Sequence, residues 1–109
     1  DAYRSLQSGK IESNETTNTI ADGLKTMLGD KNFPIIKELV SGIVRITEDE
    51  IVTAMKLVWE RMKIIIEPSS AVTVAAVVKQ SMQQPELFQN KKIGIIISGG
   101  NVDLSKLPF

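Results

Sequence analysis

Apolar positions follow two different rhythms along the chain. Ile51, Met55, Val58 and Met62 recur at helical spacing through an otherwise polar stretch, the stripe of an amphipathic helix. Thr47-Glu-Asp-Glu50 stands directly before them. The Thr47 hydroxyl suits the first-turn amides, and Glu50 is placed to reach back to the Thr47 N–H, a capping box. Glu48 and Asp49 add negative charge at the positive end of the helix. The pattern predicts a helix of about sixteen residues with a defined start. Ala71–Met82 behaves differently: its Ala-Val-Thr-Val-Ala-Ala-Val-Val run is apolar nearly all round, as in a helix enclosed by other elements. Pro68 suits the first turn there, and Ser69 or Ser70 is expected to cap it. Lys91–Ile97 carries β-branched residues on both faces, the composition of a strand buried on both sides of a parallel sheet. Ile43–Ile46 alternates and also reads as a strand. Ile64–Ile66 is either a short buried strand or a continuation of the preceding helix.

The remaining stretches are shorter. Asp1–Gly9 reads as the last two turns of a helix, with Gly9 in the left-handed position that ends it. Nothing in the sequence begins that helix and there is no initiator methionine, so a fragment or one chain of a cleaved protein is expected. Asn14–Asn18 is a polar loop or short extended strand. Leu24–Leu28 predicts a short helix stopped by Gly29, and Asn32 is a candidate cap for a helix over Pro34–Val40. Gln83–Asn90 is a polar loop containing Pro85. Helices alternating with short buried strands predict an α/β fold, part of an open, mostly parallel sheet flanked by helices. Two to four strands are too few to cover the Ala/Val helix, so the rest of that sheet is expected elsewhere in the protein.

Composition narrows the chemistry. At 109 residues, with 42% hydrophobic and 24% charged, the chain is the size of one small domain with a core. Thirteen basic residues balance thirteen acidic ones, so no net field draws nucleic acid or an anionic membrane. No apolar run spans a bilayer, and no charged-then-apolar leader opens the chain, which leads us to expect a cytoplasmic protein. There is no histidine and no cysteine. That removes the imidazole base, the Ser–His–Asp triad, thiol catalysis, disulfides and Cys/His metal sites. What remains is hydroxyls, carboxylates, amines, backbone groups or a cofactor.

Ser98-Gly-Gly-Asn101 is the foremost candidate site. It lies where a buried strand would end, the edge at which open α/β sheets place ligands. Its glycines allow the backbone close to a ligand and Ser98 presents a hydroxyl. The pattern is not GxGxxG, so a dinucleotide site is poorly supported, and a plain tight turn is the local alternative. Glu67-Pro-Ser69-Ser70 places a carboxylate between an apolar run and a helix start, either as a structural anchor or as a site residue. Ala21-Asp22-Gly23 has a turn as its simplest reading, and no lysine sits in a context that by itself suggests a Schiff base.

Five motifs, in order, carry a resemblance: Thr19-Ile-Ala-Asp-Gly23, Thr47-Glu-Asp-Glu-Ile51, Leu57-Val-Trp-Glu-Arg-Met-Lys63, Ile66-Glu-Pro-Ser69 and Ile97-Ser-Gly-Gly-Asn-Val-Asp-Leu104. Together they closely resemble the carboxyl-terminal part of the eukaryotic serine racemases, and more loosely the serine and threonine dehydratases. These are pyridoxal-phosphate enzymes of the tryptophan-synthase-β fold type. The resemblance covers essentially the whole chain. It implies that residues 1–109 are the C-terminal part of the large catalytic domain, with the N-terminal part and the small domain outside this sequence. It further implies a homodimer, with serine as substrate. By the same resemblance Ser98 meets the pyridine nitrogen, Gly99, Gly23, Glu67 and Ser69 line the cofactor, and Thr26 stands where the family has a substrate-contacting serine. Asp1 falls on a carboxylate that binds Mg²⁺ or Ca²⁺, and Lys63 and Asn101 fall near an ATP effector site at the dimer interface.

A neutral hydroxyl at the ring nitrogen need not keep it protonated as a carboxylate would, so the ring would be a milder electron sink. The implied reaction removes the Cα proton with one base; reprotonation from the opposite face racemises, and loss of the β-hydroxyl dehydrates serine to pyruvate and ammonia. The family's Schiff-base lysine, its opposite-face serine and its glycine-rich phosphate loop have no counterpart here, so no catalytic residue is assigned and the isolated chain is expected to be inactive. Two other readings stay open: a non-catalytic small-molecule-binding regulatory module, and a structural or dimerising segment.

Overall fold

The capping box forms as its spacing requires. In the computed structural model, which describes residues 1–109, the Glu50 N–H donates to Thr47 Oγ1 at 3.3 Å and the Thr47 N–H donates to Glu50 Oε2 at 2.8 Å. Four helices follow one another: α1 (Ala2–Ser8), α2 (Asn32–Leu39), α3 (Glu48–Met62) and α4 (Pro68–Gln83). Short 3₁₀ turns at Asp22–Leu24 and Pro85–Leu87 complete the regular structure. Gly9 ends α1 with φ 77°, and its N–H donates to the Ser5 carbonyl at 2.9 Å.

The core is the seam between α3 and α4. Ile51, Ala54, Met55 and Val58 of α3 pack with Ala71 and Ala75 of α4, and Ala21 and Ile66 close the cluster. Small residues on α4, Ala71 and Ala75, let α3 approach closely. Met62 is left out: it is 62% exposed at the end of the stripe. Polar ties brace the seam. The Lys79 ammonium of α4 donates to the Arg45 carbonyl at 3.0 Å and to Glu50 Oε2 at 3.2 Å. The Trp59 indole donates to the Ile66 carbonyl at 3.0 Å, and Phe109 meets its ring edge-on at 5.4 Å. Beside α1, the Arg45 guanidinium sits 4.3 Å over the Tyr3 ring.

Several local expectations are corrected. Leu24–Leu28 forms no helix beyond the 3₁₀ turn; Leu24 and Met27 are exposed, so no apolar face stabilises so short a nucleus. Asn32 is the first residue of α2 rather than its cap, because the Phe33 N–H already donates to the Gly29 carbonyl at 2.9 Å. Neither Ser69 nor Ser70 caps α4: Glu67 occupies that position with an extended backbone, imposed by Pro68, and both serines lie in the first turn.

No strand forms over Ile43–Ile46, Ile64–Ile66 or Lys91–Ile97. A strand exists only through the ladder it makes with a neighbour, and parallel neighbours arrive through long crossovers. Here the three segments make no backbone hydrogen bond to one another; just beyond two of them, the Glu67 N–H donates to the Gly99 carbonyl at 3.1 Å. Ile93, Ile95, Ile96 and Ile97 are accordingly exposed rather than buried on two sides. The molecule is a slab of 40 × 38 × 20 Å with 11 of 109 residues buried, a depth that leaves room for one apolar seam only.

Candidate functional site

The site grows from the first turn of α4. Glu67 is extended (φ −81°, ψ 163°) because a residue before proline is kept from the helical region, and this turns the chain sharply into α4. Ser69 and Ser70 then point from one helical turn into two different segments. Ser69 Oγ accepts the Gly23 N–H at 2.9 Å, binding the 3₁₀ turn to α4. Ser70 is fully buried and faces the 98–100 segment. Its hydroxyl donates to the Gly99 carbonyl and accepts the Gly99 N–H, both at 2.8 Å, and lies 3.1 Å from Ser98 Oγ.

The glycines are required by close approach rather than by turn geometry. A Cβ on Gly99 would stand 2.9 Å from Glu67 Oε1, and one on Gly100 would stand 2.5 Å from the Ile65 carbonyl oxygen. A Cβ on Gly23 would stand 3.0 Å from Ser69 Oγ. Ser98, Gly99, Gly23, Glu67 and Ser69 are thus gathered around one helix start, although 75 positions, from 23 to 98, separate the first of them from Ser98. Ser98 and Gly23 are exposed, and Glu67, Ser69 and Gly99 are half-buried.

The other predicted residues lie apart from this cluster. Thr26 is exposed in the bend after the 3₁₀ turn. Asp1 Oδ2 accepts the Leu28 N–H at 3.3 Å, and no group of three or more Asp or Glu side chains gathers anywhere in the chain to hold a cation. Lys63 ends α3 in the left-handed conformation, φ 59°, with its N–H donating to the Trp59 carbonyl at 3.2 Å. Asn101 lines a cleft with Ile20, Asp22, Lys25, Pro68 and Asp103, and Lys63 does not reach it. Ser105 hydrogen-bonds Asp103 through its hydroxyl and its N–H, holding that carboxyl below the ordinary carboxylate range.

Ser70 is the residue that sequence reasoning missed. It looked like a helix cap beside Ser69, and only its burial against Gly99 shows a different use. A serine next to a capping-type serine, after a proline and ahead of an all-apolar helix, was the available signal.

These residues fit the edge of an aromatic cofactor: an exposed hydroxyl, Ser98, held at the end of the 91–97 segment by the first turn of α4. A family model for pyridoxal-phosphate dependent enzymes matches residues 1–99. The chain belongs to that family of pyridoxal-phosphate dependent enzymes. It is 61% identical over 109 residues to the serine racemase of Dictyostelium discoideum, covering 98% of this chain and 33% of that protein. It is 46% identical over 109 residues to the β-hydroxyaspartate dehydratase of Paracoccus denitrificans, covering 100% of this chain and 33% of the dehydratase. Among solved structures, maize serine racemase superposes with a TM-score of 0.89 at 42% identity, over 96% of this chain and 32% of the maize chain. The chain therefore spans about a third of the length of these relatives.

Proposed function

We propose that the chain is the C-terminal part of the large domain of a pyridoxal-phosphate dependent serine racemase that also dehydrates serine. The observation that carries this reading is the Ser98 hydroxyl, presented at the end of the 91–97 segment and tied to the first turn of α4. Identity of 61% to a serine racemase supports the choice of activity. In this reading the exposed Ile93–Ile97 segment, together with Ile64–Ile66 and Ile43–Ile46, enters a mostly parallel sheet completed by the remainder of the protein, with α4 packed on it.

Pyridoxal phosphate, when bound, supplies an electron-withdrawing ring that acidifies the Cα–H of an amino acid. Ser98 Oγ is set to hydrogen-bond the ring nitrogen, and as a neutral group it does not hold a proton there. Gly99 and Gly23 line the cofactor in this reading, and their lack of a side chain lets Glu67 and Ser69 close against the two segments that carry them. Thr26 brings a hydroxyl toward the serine substrate. The base that takes the Cα proton and the groups that hold the phosphate lie outside this chain, so the isolated 109 residues are inactive.

The same reading assigns Lys63 and Asn101 to an ATP effector site at a homodimer interface, in a cytoplasmic enzyme. Lys63 stands exposed at the end of α3 and Asn101 opens onto a cleft with Lys25. For Mg²⁺ or Ca²⁺ the residues present do not suffice: Asp1 is a single carboxylate already engaged by an amide, and a hard cation takes six or more oxygens. No step is derived through a metal.

The test is chiral analysis of the full-length protein carrying this chain, incubated with L-serine and pyridoxal phosphate, with pyruvate followed in parallel. D-serine formation supports the racemase. Pyruvate without D-serine would favour a serine/threonine dehydratase; dehydration, of β-hydroxyaspartate, is the activity named for the Paracoccus relative. Neither product would overturn both and leave a non-catalytic binding module.

A further inference from the structure

We infer that Ser70 is a positioning residue for the cofactor: its buried hydroxyl orients the Ser98 hydroxyl and completes a two-serine relay to the ring nitrogen. The inference rests on the pyridoxal-phosphate reading above and concerns a residue that makes no contact with the ring itself.

The geometry leaves the Ser70 proton two stations. Ser70 Oγ lies 2.8 Å from the Gly99 carbonyl and 3.1 Å from Ser98 Oγ, and it already accepts the Gly99 N–H at 2.8 Å. A serine hydroxyl has one proton and two lone pairs, so it serves only one of these two acceptors at a time. The Gly99 carbonyl has a second donor, the Glu67 N–H at 3.1 Å. Turning the Ser70 proton to Ser98 therefore leaves no buried carbonyl unpaired, and the usual penalty for an orphaned polar group does not arise. In that arrangement Ser70 donates to Ser98 Oγ, and the Ser98 proton faces outward as a donor to an unprotonated ring nitrogen. Hydrogen bonds in series polarise one another, so Ser98 is a stronger donor than a lone serine. With the Ser70 proton on Gly99 instead, Ser98 donates inward and offers only lone pairs. Ser70 thus decides which polarity Ser98 shows to the cofactor.

No other side chain does this: Ser70 is fully buried and is the only side chain hydrogen-bonded to Ser98. Ser69, next in sequence, is committed to Gly23.

The experiment is a double-mutant cycle in the full-length protein loaded with pyridoxal phosphate: Ser70→Ala, Ser98→Ala and the pair. The readouts are the cofactor's absorbance as a function of pH and its dissociation constant. Ser70→Ala is expected to shift the spectrum in the same direction as Ser98→Ala and to weaken cofactor binding about three- to tenfold, the range of one neutral hydrogen bond. In the Ser98→Ala background, Ser70→Ala should produce no further spectral change. A wild-type spectrum and affinity for Ser70→Ala, while Ser98→Ala changes both, overturns the relay and leaves the pyridoxal-phosphate reading intact. Full additivity of the two substitutions also overturns it, since a merely structural serine would act independently of Ser98. If neither substitution moves the spectrum, the placement of Ser98 at the ring nitrogen fails with it. Should Ser70→Ala not fold, Ser70→Cys keeps a weak donor and acceptor in place, and a spectrum between those of wild type and Ser98→Ala is expected; a wild-type spectrum would count against the relay.

Discussion

Glu67 and Gly99 are held against one another: the Glu67 N–H donates to the Gly99 carbonyl at 3.1 Å, and a Cβ on Gly99 would fall 2.9 Å from Glu67 Oε1. Ser70 adds two more bonds to the same glycine. Gly99→Ala should therefore force the Glu67 carboxylate or the 98–100 segment aside, costing about 1–3 kcal/mol, the usual range for overpacking. A denaturant midpoint for the full-length protein equal to wild type would show that the carboxylate swings away freely.

Thr47→Ala removes the hydroxyl that accepts the Glu50 N–H, and should destabilise by about 1 kcal/mol, whereas Thr47→Ser should be close to neutral. Urea unfolding of the three proteins decides it. Equal midpoints for Ala and Ser would mean that α3 is fixed by its packing alone.

The stripe along α3 separates into unequal parts. Met55 is fully buried and Met62 is 62% exposed, although both sit on the same helical repeat. Met55→Ala is expected to cost about 2–5 kcal/mol through transfer and cavity effects, and Met62→Ala less than about 0.5 kcal/mol. Similar losses at both positions would place the core somewhere other than the α3–α4 seam.

Glu50 gives a pH dependence of known sign. The Thr47 N–H holds its carboxyl below the ordinary value of 4.5, with Lys79 adding to the effect against some desolvation. A carboxyl depressed in the folded state stabilises above its unfolded value, and that contribution is lost as pH falls through the folded one. The contribution is full at neutral pH and disappears below 4.5. Glu50→Gln should flatten the acid limb of stability while leaving the neutral region less stable. Parallel acid limbs, measured by urea midpoints across the range, would remove Glu50 from the account.

Local chemistry was legible wherever a few adjacent residues decide the outcome. Thr47 and Glu50 marked the start of α3, Gly9 closed α1, and Pro68 turned Glu67 out of the helical region. Features that depend on distant partners were not. Lys91–Ile97 has a strand's composition, yet no neighbouring segment pairs with it. Leu24–Leu28 has helical composition without a surface to pack on. The grouping of Gly23 with Ser69 crosses 46 positions, and spacing alone offers no route to it; the family resemblance did. Ser70 was invisible for the same reason, because its role depends on Gly99 and Ser98, both 28 or 29 positions away.

The central claim is that Ser98 meets the ring nitrogen of pyridoxal phosphate, and cofactor titration tests it most directly. Pyridoxal phosphate is added to the full-length apoprotein and to its Ser98→Ala variant, and the visible absorbance is followed. The account predicts a saturable cofactor band in the wild type, with weaker binding and a displaced band in the variant. Identical bands and affinities in the two proteins would contradict it.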